Sequence, residues 1–513
     1  MSLKNHIIRV FGFLNEGAEY AVLRNYEGLP DRNESRDIDI IITRRSFCSI
    51  KRELVEVLCQ EGWRVVTYLN SDRLITFVCA KNVGHETEIV QWDFFVNTSV
   101  WGVELMSAEE FVEHRVWNGV LWHVDVVGEF LDKYLYNRAV GAKYPAKYER
   151  IRTQIVEASH GTHGTHGNSS SSNLDILSPT DDTDLKDFSP SGFNDSLFLA
   201  SLKKRSTDDT DFNAGEASAS SVSSVGSVSD KEISVRVARK LEEVFGCGDL
   251  EMCDGLSGKW LLWRAVKWNV KRRPLGLIVG VWAFVWSFVR NYLCTNTGFA
   301  IGFTGPDGVG KTTVIEMLIE RLGGVFRTAH SYMHFRPMLF GNLGEVAHSA
   351  GLKREVDRNY NDPHRGKKVG VVNSLVRLAY YSVDYIVGYW LKVKSQIRIT
   401  RLVVFDRYYT DVICDSRRSR FFLNYKFLYW FGRVFVPQLD YNVLLTASVE
   451  TVLARKQELT REGIERINEK IEYLAGKRGY VKFVNDGAPE EVVTEILEWV
   501  FEEQHRRNLN RLL

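Results

Sequence analysis

Apolar and polar positions divide the chain into stretches of different period. "FAIGFT" (299–304) and the "LVVF" of "RLVVFDRYYTD" (401–411) are short unbroken apolar runs bounded by polar residues, and they predict buried strands. "SRDIDIIITRRS" (35–46) alternates where it begins, which puts Asp37 and Asp39 on one face of a strand. "EIVQWDFFV" reads as a further strand and carries Asp93. In "KEISVRVARKLEEVF" (231–245), Ile233, Val235, Val237, Leu241 and Val244 recur at helical spacing. Periodicity is lost between 157 and 231. There "SHGTHGTHGNSSSSN" and "GEASASSVSSVGSVSD" bury too little apolar surface to offset chain entropy, and they predict a flexible, disordered linker.

One run stands apart. Pro274 to Val289 is 16 residues without a charge, shorter than the ~20 that a spanning helix needs. Lys267, Lys271, Arg272 and Arg273 precede it, and Trp260, Trp263, Trp268, Trp282 and Trp286 crowd the region. The pattern predicts a helix at 274–293, either resting in a membrane interface or packed on the domain that follows. Four stretches result: 1–156, the linker 157–231, a helical segment 232–296, and 297–513.

Length and charge change this picture little. The 513 residues suggest about three units. With 66 basic and 65 acidic residues the net charge is +1, so there is no global attraction for nucleic acid and none is expected as a partner. Seven cysteines (48, 59, 79, 247, 253, 294 and 414) form no CxxC pair, which predicts a reducing compartment with neither a disulfide framework nor a zinc site. "MSLKNHIIRVFGFLNEG" has no long apolar core and no small-residue cleavage site. It predicts a cytoplasmic chain, peripheral at the inner face of the cell membrane if the 274–293 helix rests there.

"GPDGVGKTT" follows the strand at 299–304 and opens a helix. Its Gly305-x4-Gly310-Lys311-Thr312 spacing is the Walker A pattern. Glycines allow backbone N–H groups to curl around phosphate oxygens, and the helix N-terminus adds partial positive charge. Gly305, Pro306, Gly308, Val309, Gly310, Lys311, Thr312 and Thr313 are therefore the candidate ATP-binding residues. Lys311 is expected to reach the outer phosphates, and Thr312 to ligate Mg²⁺. Asp406, at the end of the second strand, is the second candidate Mg²⁺ residue, with Arg407 beside it to clamp a transferring phosphoryl group.

On these residues, 297–513 resembles the thymidylate kinase-type P-loop kinases. "GPDGVGK" carries an acid, Asp307, between the loop glycines, as that family often does near its acceptor. "DRY" (406–408) matches the family's signature, and "HFRP" (334–337) stands where the family has an acceptor loop. "LARKQELTREGIERINEK" (453–470) resembles its mobile lid, with Arg455, Lys456 and Arg461 to neutralise charge on closure. The resemblance implies an α/β fold with a parallel sheet flanked by helices. It also implies an ATP- and Mg²⁺-dependent phosphotransferase, with Lys311, Asp307, Asp406 and Arg407 as catalytic residues.

The acceptor side departs from the pattern. "HFRPMLF" replaces "REPGGT", and "YYSVDYIVGYW" (380–390) and "DVICDSRRSR" (411–420) are unusual. His334, Arg336, Tyr380, Asp384, Arg417 and Arg418 are the candidate acceptor contacts. The combination resembles the thymidylate kinase-like proteins linked with bacterial surface-polysaccharide synthesis, which implies a glycan or glycolipid acceptor. A true thymidylate kinase and a membrane-associated nucleotide switch without transfer stay open. A guanine-reading Asn-Lys-x-Asp motif is missing from the sequence.

Asp37, Asp39 and Asp93 on neighbouring strands could hold Mg²⁺ across a triphosphate. Residues 5–100 resemble the nucleotidyltransferase fold, which implies an N-terminal α+β domain and a second activity. That family's Gly-Ser pair is replaced here by Arg24-Asn25.

Overall fold

The computed structural model describes residues 3–33, 35–161, 230–291, 297–323, 325–326, 330–339, 370–415, 423–457 and 459–512. Residues 1–152 and 236–513 form one compact unit. A second, 153–235, is described only at its helical ends, so most of the stretch expected to be linker lies outside the described residues.

In the N-terminal part, β1 (Tyr20–Val22), β2 (Asp37–Ile42), β3 (Arg64–Asn70), β4 (Leu74–Val83) and β5 (Glu86–Phe95) precede a hairpin of β6 (Asn97–Val100) and β7 (Val103–Ser107). The short strands β8 (Val116–Trp117) and β9 (Trp122–His123) complete a mixed sheet of order β3-β4-β5-β2-β1-β9-β8. β2 and β5 run parallel, with Asp39 directly opposite Asp93. The helices Leu3–Gly17 and Arg44–Leu58 cover one face. They place Ile7, Val10, Phe11 and Leu14, and Phe47, Ile50, Leu54 and Leu58, into a core with Trp63, Phe77 and Trp92.

The C-terminal sheet consists of β10 (Phe299–Thr304), β11 (Ser331–His334), β12 (Leu402–Asp406), β13 (Tyr441–Thr446) and β14 (Tyr480–Val484). Its order is β11-β12-β10-β13-β14, and every neighbouring pair is parallel. All six residues of β10 are buried, as a central strand covered on both faces requires. The fold is thus α/β with a parallel sheet flanked by helices. Helix Lys311–Leu322 buries Val314, Ile315, Leu318 and Leu322 on one side, and helix Arg461–Ala475 packs Ile467, Ile471 and Leu474 into a core with Ala300 and Phe405.

The last helix, Pro489–Leu512, joins the two sheets. Its first half buries Val492, Val493, Ile496, Leu497 and Val500 in the core of the parallel sheet. Further on, the Asn508 amide donates to the Val65 and Val66 carbonyls of β3 at 3.1 and 2.9 Å, and Leu512 enters the N-terminal core. Val66, Val78 and Ala80 also pack into the core of the parallel sheet. Residues 297–513 therefore share buried surface with β3 and β4.

Between the sheets in sequence lie helices Asp230–Phe245, Leu250–Gly255, Gly258–Arg272 and Pro274–Val289. One expectation is corrected here: Cys247 and Cys253 are disulfide-bonded. The turn between the first two helices folds the chain back and leaves their Cα atoms 6.2 Å apart, within bridging range. Cys48, Cys59, Cys79 and Cys414 are free thiols. The helix expected at 274–293 is regular to Val289, and 292–293 lie outside the described residues. Among the described residues no helix is long and apolar enough to cross a membrane.

Candidate functional site

The C-terminal ends of β10, β11, β12 and β14 converge on the Gly-rich loop 305–310, the crevice position where open parallel sheets take ligands. Gly308 and Gly310 both have φ of +90°, a conformation that a side chain would strain. At Gly305 a Cβ would come within 2.4 Å of the Leu445 carbonyl oxygen. Val309 is fully buried and moors the loop. Its carbonyl accepts from the Asn485 amide at 2.8 Å and from Arg455 at 3.5 Å. Helix Lys311–Leu322 starts directly after Gly310, leaving Thr312 and Thr313 exposed on its first turn. Its free backbone N–H groups and dipole favour an anion there.

Lys311 folds back over this loop and donates to the carbonyls of Gly305 and Pro306 at 2.9 and 2.8 Å. Burial, reinforced by the Arg407 charge, lowers its pKa to about 8 against the pull of Asp307, Asp411 and Asp406. The ammonium is poorly solvated and surrounded by groups that an anion would complement.

Asp406 closes β12 opposite Phe303 of β10 and His334 of β11. Its Oδ2 accepts from the Tyr332 hydroxyl at 3.0 Å and lies 3.3 Å from His334 Nδ1. Its Oδ1 is buried without a partner. Burial pushes the carboxyl pKa up, but the His334 hydrogen bond, Arg407 and Lys311 outweigh it and hold the group below its ordinary range. A bare, ionised, buried oxygen fits a hard cation with oxygen ligands, and the exposed Thr312 hydroxyl offers a second ligand of the same kind.

Arg407 has φ of +71°, unfavourable for any side chain larger than glycine's. Three contacts hold it there. Its N–H donates to the Phe303 carbonyl at 3.0 Å, and its guanidinium bridges Asp307 and Asp411, the latter at 2.9 Å. Burial opposes its charge, but Asp411 and Asp307 raise its pKa above the ordinary range. Its Nε is buried without an acceptor. Asp307, in turn, lies between this guanidinium and Lys311, at 3.7 Å from the ammonium.

The remaining predicted residues are distributed as follows. Arg336 and Asp384 pair with each other at 2.9 Å, both buried, and Asp384 Oδ1 accepts from the Leu339 N–H at 2.8 Å. Together with Tyr385, which donates to the Phe335 carbonyl, they pin loop 335–339 to helix Val371–Gly388. Tyr380 is half-buried against Tyr381. Arg417 and Arg418 lie outside the described residues. Arg455 donates to the Asn485 carbonyl at 2.9 Å and so braces the Gly-rich loop, whereas Arg461 pairs with Glu450 on the exposed start of its helix.

Asp411, Asn485 and Tyr332 were not singled out from the sequence. Asp411 follows Arg407 by four residues, the spacing of a helical ion pair, and Asn485 follows β14 at the sheet edge where ligands bind. Both signals were readable. Tyr332 had none, since its contact depends on strand pairing.

In the N-terminal sheet, oxygens of Asp37, Asp39 and Asp93 lie within 4.8 Å of one another. Much of this cluster is already satisfied by the protein. Arg24 Nε donates to Asp39 Oδ2 at 2.7 Å and its NH1 reaches Asp132 at 3.0 Å. Thr76 and Gln91 donate to the two Asp93 oxygens at 2.5 and 2.8 Å. Burial opposes the Arg24 charge, but Asp39 and Asp132 raise its pKa above the ordinary range. The oxygen donors suit Mg²⁺ chemically, but a cation entering beside Asp39 must displace Arg24, so the fit is poorer than at Asp406.

No protein-family model matches the chain, and no curated protein does. Among solved structures it is similar to the thymidylate kinase of Ehrlichia chaffeensis. The match has 15% identity, covers 40% of this chain and 98% of that one, and has a TM-score of 0.28.

Proposed function

We propose that the chain is an ATP- and Mg²⁺-dependent phosphotransferase whose donor site is the Gly-rich loop with Lys311, Thr312, Asp406 and Arg407. The observation that carries this reading is a pair of unsatisfied groups at one strand end. Asp406 Oδ1 and Arg407 Nε are both buried without partners, beside a loop that offers backbone donors. Burying such groups unmet costs on the order of 1–3 kcal/mol each, a cost that a bound ligand relieves.

In this reading the loop amides and Lys311 take the phosphates, and Arg407 stabilises charge on the phosphoryl group as it moves. Asp406 and Thr312 would hold Mg²⁺, which supplies charge neutralisation when bound. An acceptor hydroxyl near Asp307 and His334 forms the new P–O bond as the bond to ADP breaks. Such a transfer needs positioning and electrostatics more than covalent chemistry.

The acceptor is a glycan or lipid-linked glycan hydroxyl rather than free thymidylate. Support comes from the altered acceptor-side sequence, in which "HFRPMLF" stands where "REPGGT" is expected. Nucleotidyl transfer at Asp37, Asp39 and Asp93 is the weaker part of the proposal because Arg24 stands in the cluster. ATP turnover by the full chain, with dTMP and with glycan acceptors, beside Lys311→Ala, tests the reading. Turnover with a glycan acceptor that the substitution abolishes supports it. Robust dTDP formation makes the chain a nucleotide kinase, and turnover that survives Lys311→Ala refutes the donor site.

A further inference from the structure

Helix Pro274–Val289 is built inside out. In a surface helix of a water-soluble domain the apolar stripe faces the core. Here Leu275, Ile278, Val279, Trp282 and Trp286, spaced three and four apart on one face, are between 56% and 76% exposed. Ser287 is the helix's one buried residue among those described. On the inner side small residues, Gly280, Ala283 and Ser287, alternate with half-buried Leu277, Phe284 and Phe288. At Gly280 a Cβ would meet the Gly102 carbonyl oxygen at 2.3 Å, so this helix sits backbone against backbone on the β6–β7 turn. Its end is tied down too, through the Arg290 guanidinium and the Asn291 amide, both donating to the Asn70 carbonyl. The helix is firmly held and presents its apolar face outward.

The preceding helix, Gly258–Arg272, supplies the rest of the surface. Trp263 is about half exposed, with the Lys267 ammonium 3.4 Å from its ring centroid. Lys267 and Lys271 are exposed and have no acidic partner among the described residues. From Gly258 to Val289 the sequence contains no Asp or Glu. The acids beside these helices, Glu243 and Glu104, are paired with Arg272 and Arg273, which leaves Lys267 and Lys271 as the uncompensated charges. Apolar side chains, tryptophans and unpaired lysines together are the composition of a surface that meets anionic headgroups.

We propose that helices Gly258–Arg272 and Pro274–Val289 dock this protein on the surface of an anionic phospholipid bilayer. Ile278, Trp282 and Trp286 enter the headgroup–acyl boundary, and Lys267 and Lys271 lie at the phosphates. The helix lies on the bilayer and does not span it. At 1.5 Å per residue its 16 residues reach about 24 Å, short of the ~30 Å hydrocarbon core. Charge decides against a second copy of the chain as the occupant. A two-fold contact through this face would bring two acid-free basic helices together, whereas a bilayer of anionic lipid offers the opposite sign. The proposal is independent of the phosphotransferase reading, whose residues lie on other elements.

The test is co-sedimentation of the full chain with vesicles of phosphatidylcholine plus phosphatidylglycerol, and with phosphatidylcholine alone. The protein is expected to sediment with the mixed vesicles and much less with the neutral ones. Lys267→Glu with Lys271→Glu removes about fivefold or more in partitioning per residue. Ile278→Ser with Trp282→Ser removes about tenfold or more. Because all four side chains are exposed, the variants are expected to melt with the wild type, and circular dichroism checks this. The proposal is overturned if the wild type stays in the supernatant with anionic vesicles, or if binding survives the Ile278 and Trp282 substitutions. It is equally overturned if the wild type is a dimer that those substitutions dissociate, which would make a second copy the occupant.

Discussion

Asp39 and Asp93 in the N-terminal sheet and Asp406 in the C-terminal sheet are all buried carboxylates on strands, yet their surroundings differ. Around the first two, the protein provides its own counter-charge and donors: Arg24 to Asp39, Thr76 and Gln91 to Asp93. Around Asp406 one oxygen is left bare, the neighbouring arginine has an unmet N–H, and the nearby lysine is poorly solvated. In the first cluster the protein's own donors reach the carboxylates; in the second, Asp406 Oδ1 and Arg407 Nε are buried without protein partners. Identical residue types therefore do not define a site. What matters is which of their valences the fold leaves unspent.

The largest test of this contrast is Arg24→Leu. It leaves Asp39 and Asp132 buried without their shared cation, and is expected to cost roughly 3–5 kcal/mol of stability, read by chemical denaturation. Adding Asp39→Asn to it should restore part of that loss. If Arg24→Leu is neutral, the cluster is not held by Arg24 and the comparison fails.

Asp406→Asn should cost less stability than Arg24→Leu but far more activity. It removes a charge that His334, Arg407 and Lys311 stabilise, so stability at neutral pH falls modestly, while phosphoryl transfer falls about a hundredfold. Asp39→Asn measured alongside should leave that transfer within about twofold. A matching loss in both variants would mean the two sites act together.

Glu129 sharpens the comparison near Arg24. Burial first, then Glu27, raises its carboxyl pKa to about 7 from 4.5, despite the Arg24 charge. The folded state then binds more protons than the unfolded one between those values. Stability falls as pH rises through that window, and the cost is complete above pH 7. Glu129→Gln should therefore stabilise the protein by about 2 kcal/mol at pH 8, a figure discounted for partial exposure, and by almost nothing at pH 4. An equal gain at both pH values in thermal melts would show that charge is not the cause.

Lys311 gives the smallest effect. Its folded pKa of about 8 lies below the 10.5 of the free side chain, so the unliganded fold gains stability as pH rises between these values. Nucleotide binding runs the other way, because phosphates need the charged ammonium. Affinity for ATP should fall about tenfold per pH unit above 8, with proton uptake on binding visible by calorimetry in buffers of different ionisation enthalpy. A flat profile would separate Lys311 from the phosphates.

Features carried by local sequence were the legible ones. Gly305 to Thr312 are contiguous and demand a strand before and a helix after, and both are present. Asp406 and Arg407 could be placed at a strand end from "LVVFD" alone. Asp37, Asp39 and Asp93 could be placed on strands, and the fold brings them together. That Arg24 stands among them could not be read, since its pairs with Asp39 and Asp132 depend on how the strands and the following helix pack rather than on any spacing in the sequence. The same holds for the joining of the two sheets through Asn508 and β3, separated by more than 440 residues. Arg336 and Asp384 were expected as acceptor contacts, and that they form an ion pair with each other emerges only when loop and helix meet.

The most direct measurement is equilibrium binding of Mg-ATP to the full chain, followed by calorimetry for the wild type, Lys311→Ala and Asp39→Asn. The account predicts one site per chain, lost in Lys311→Ala and unchanged in Asp39→Asn. Binding that persists without Lys311, or that disappears with Asp39, would place the nucleotide elsewhere and contradict it.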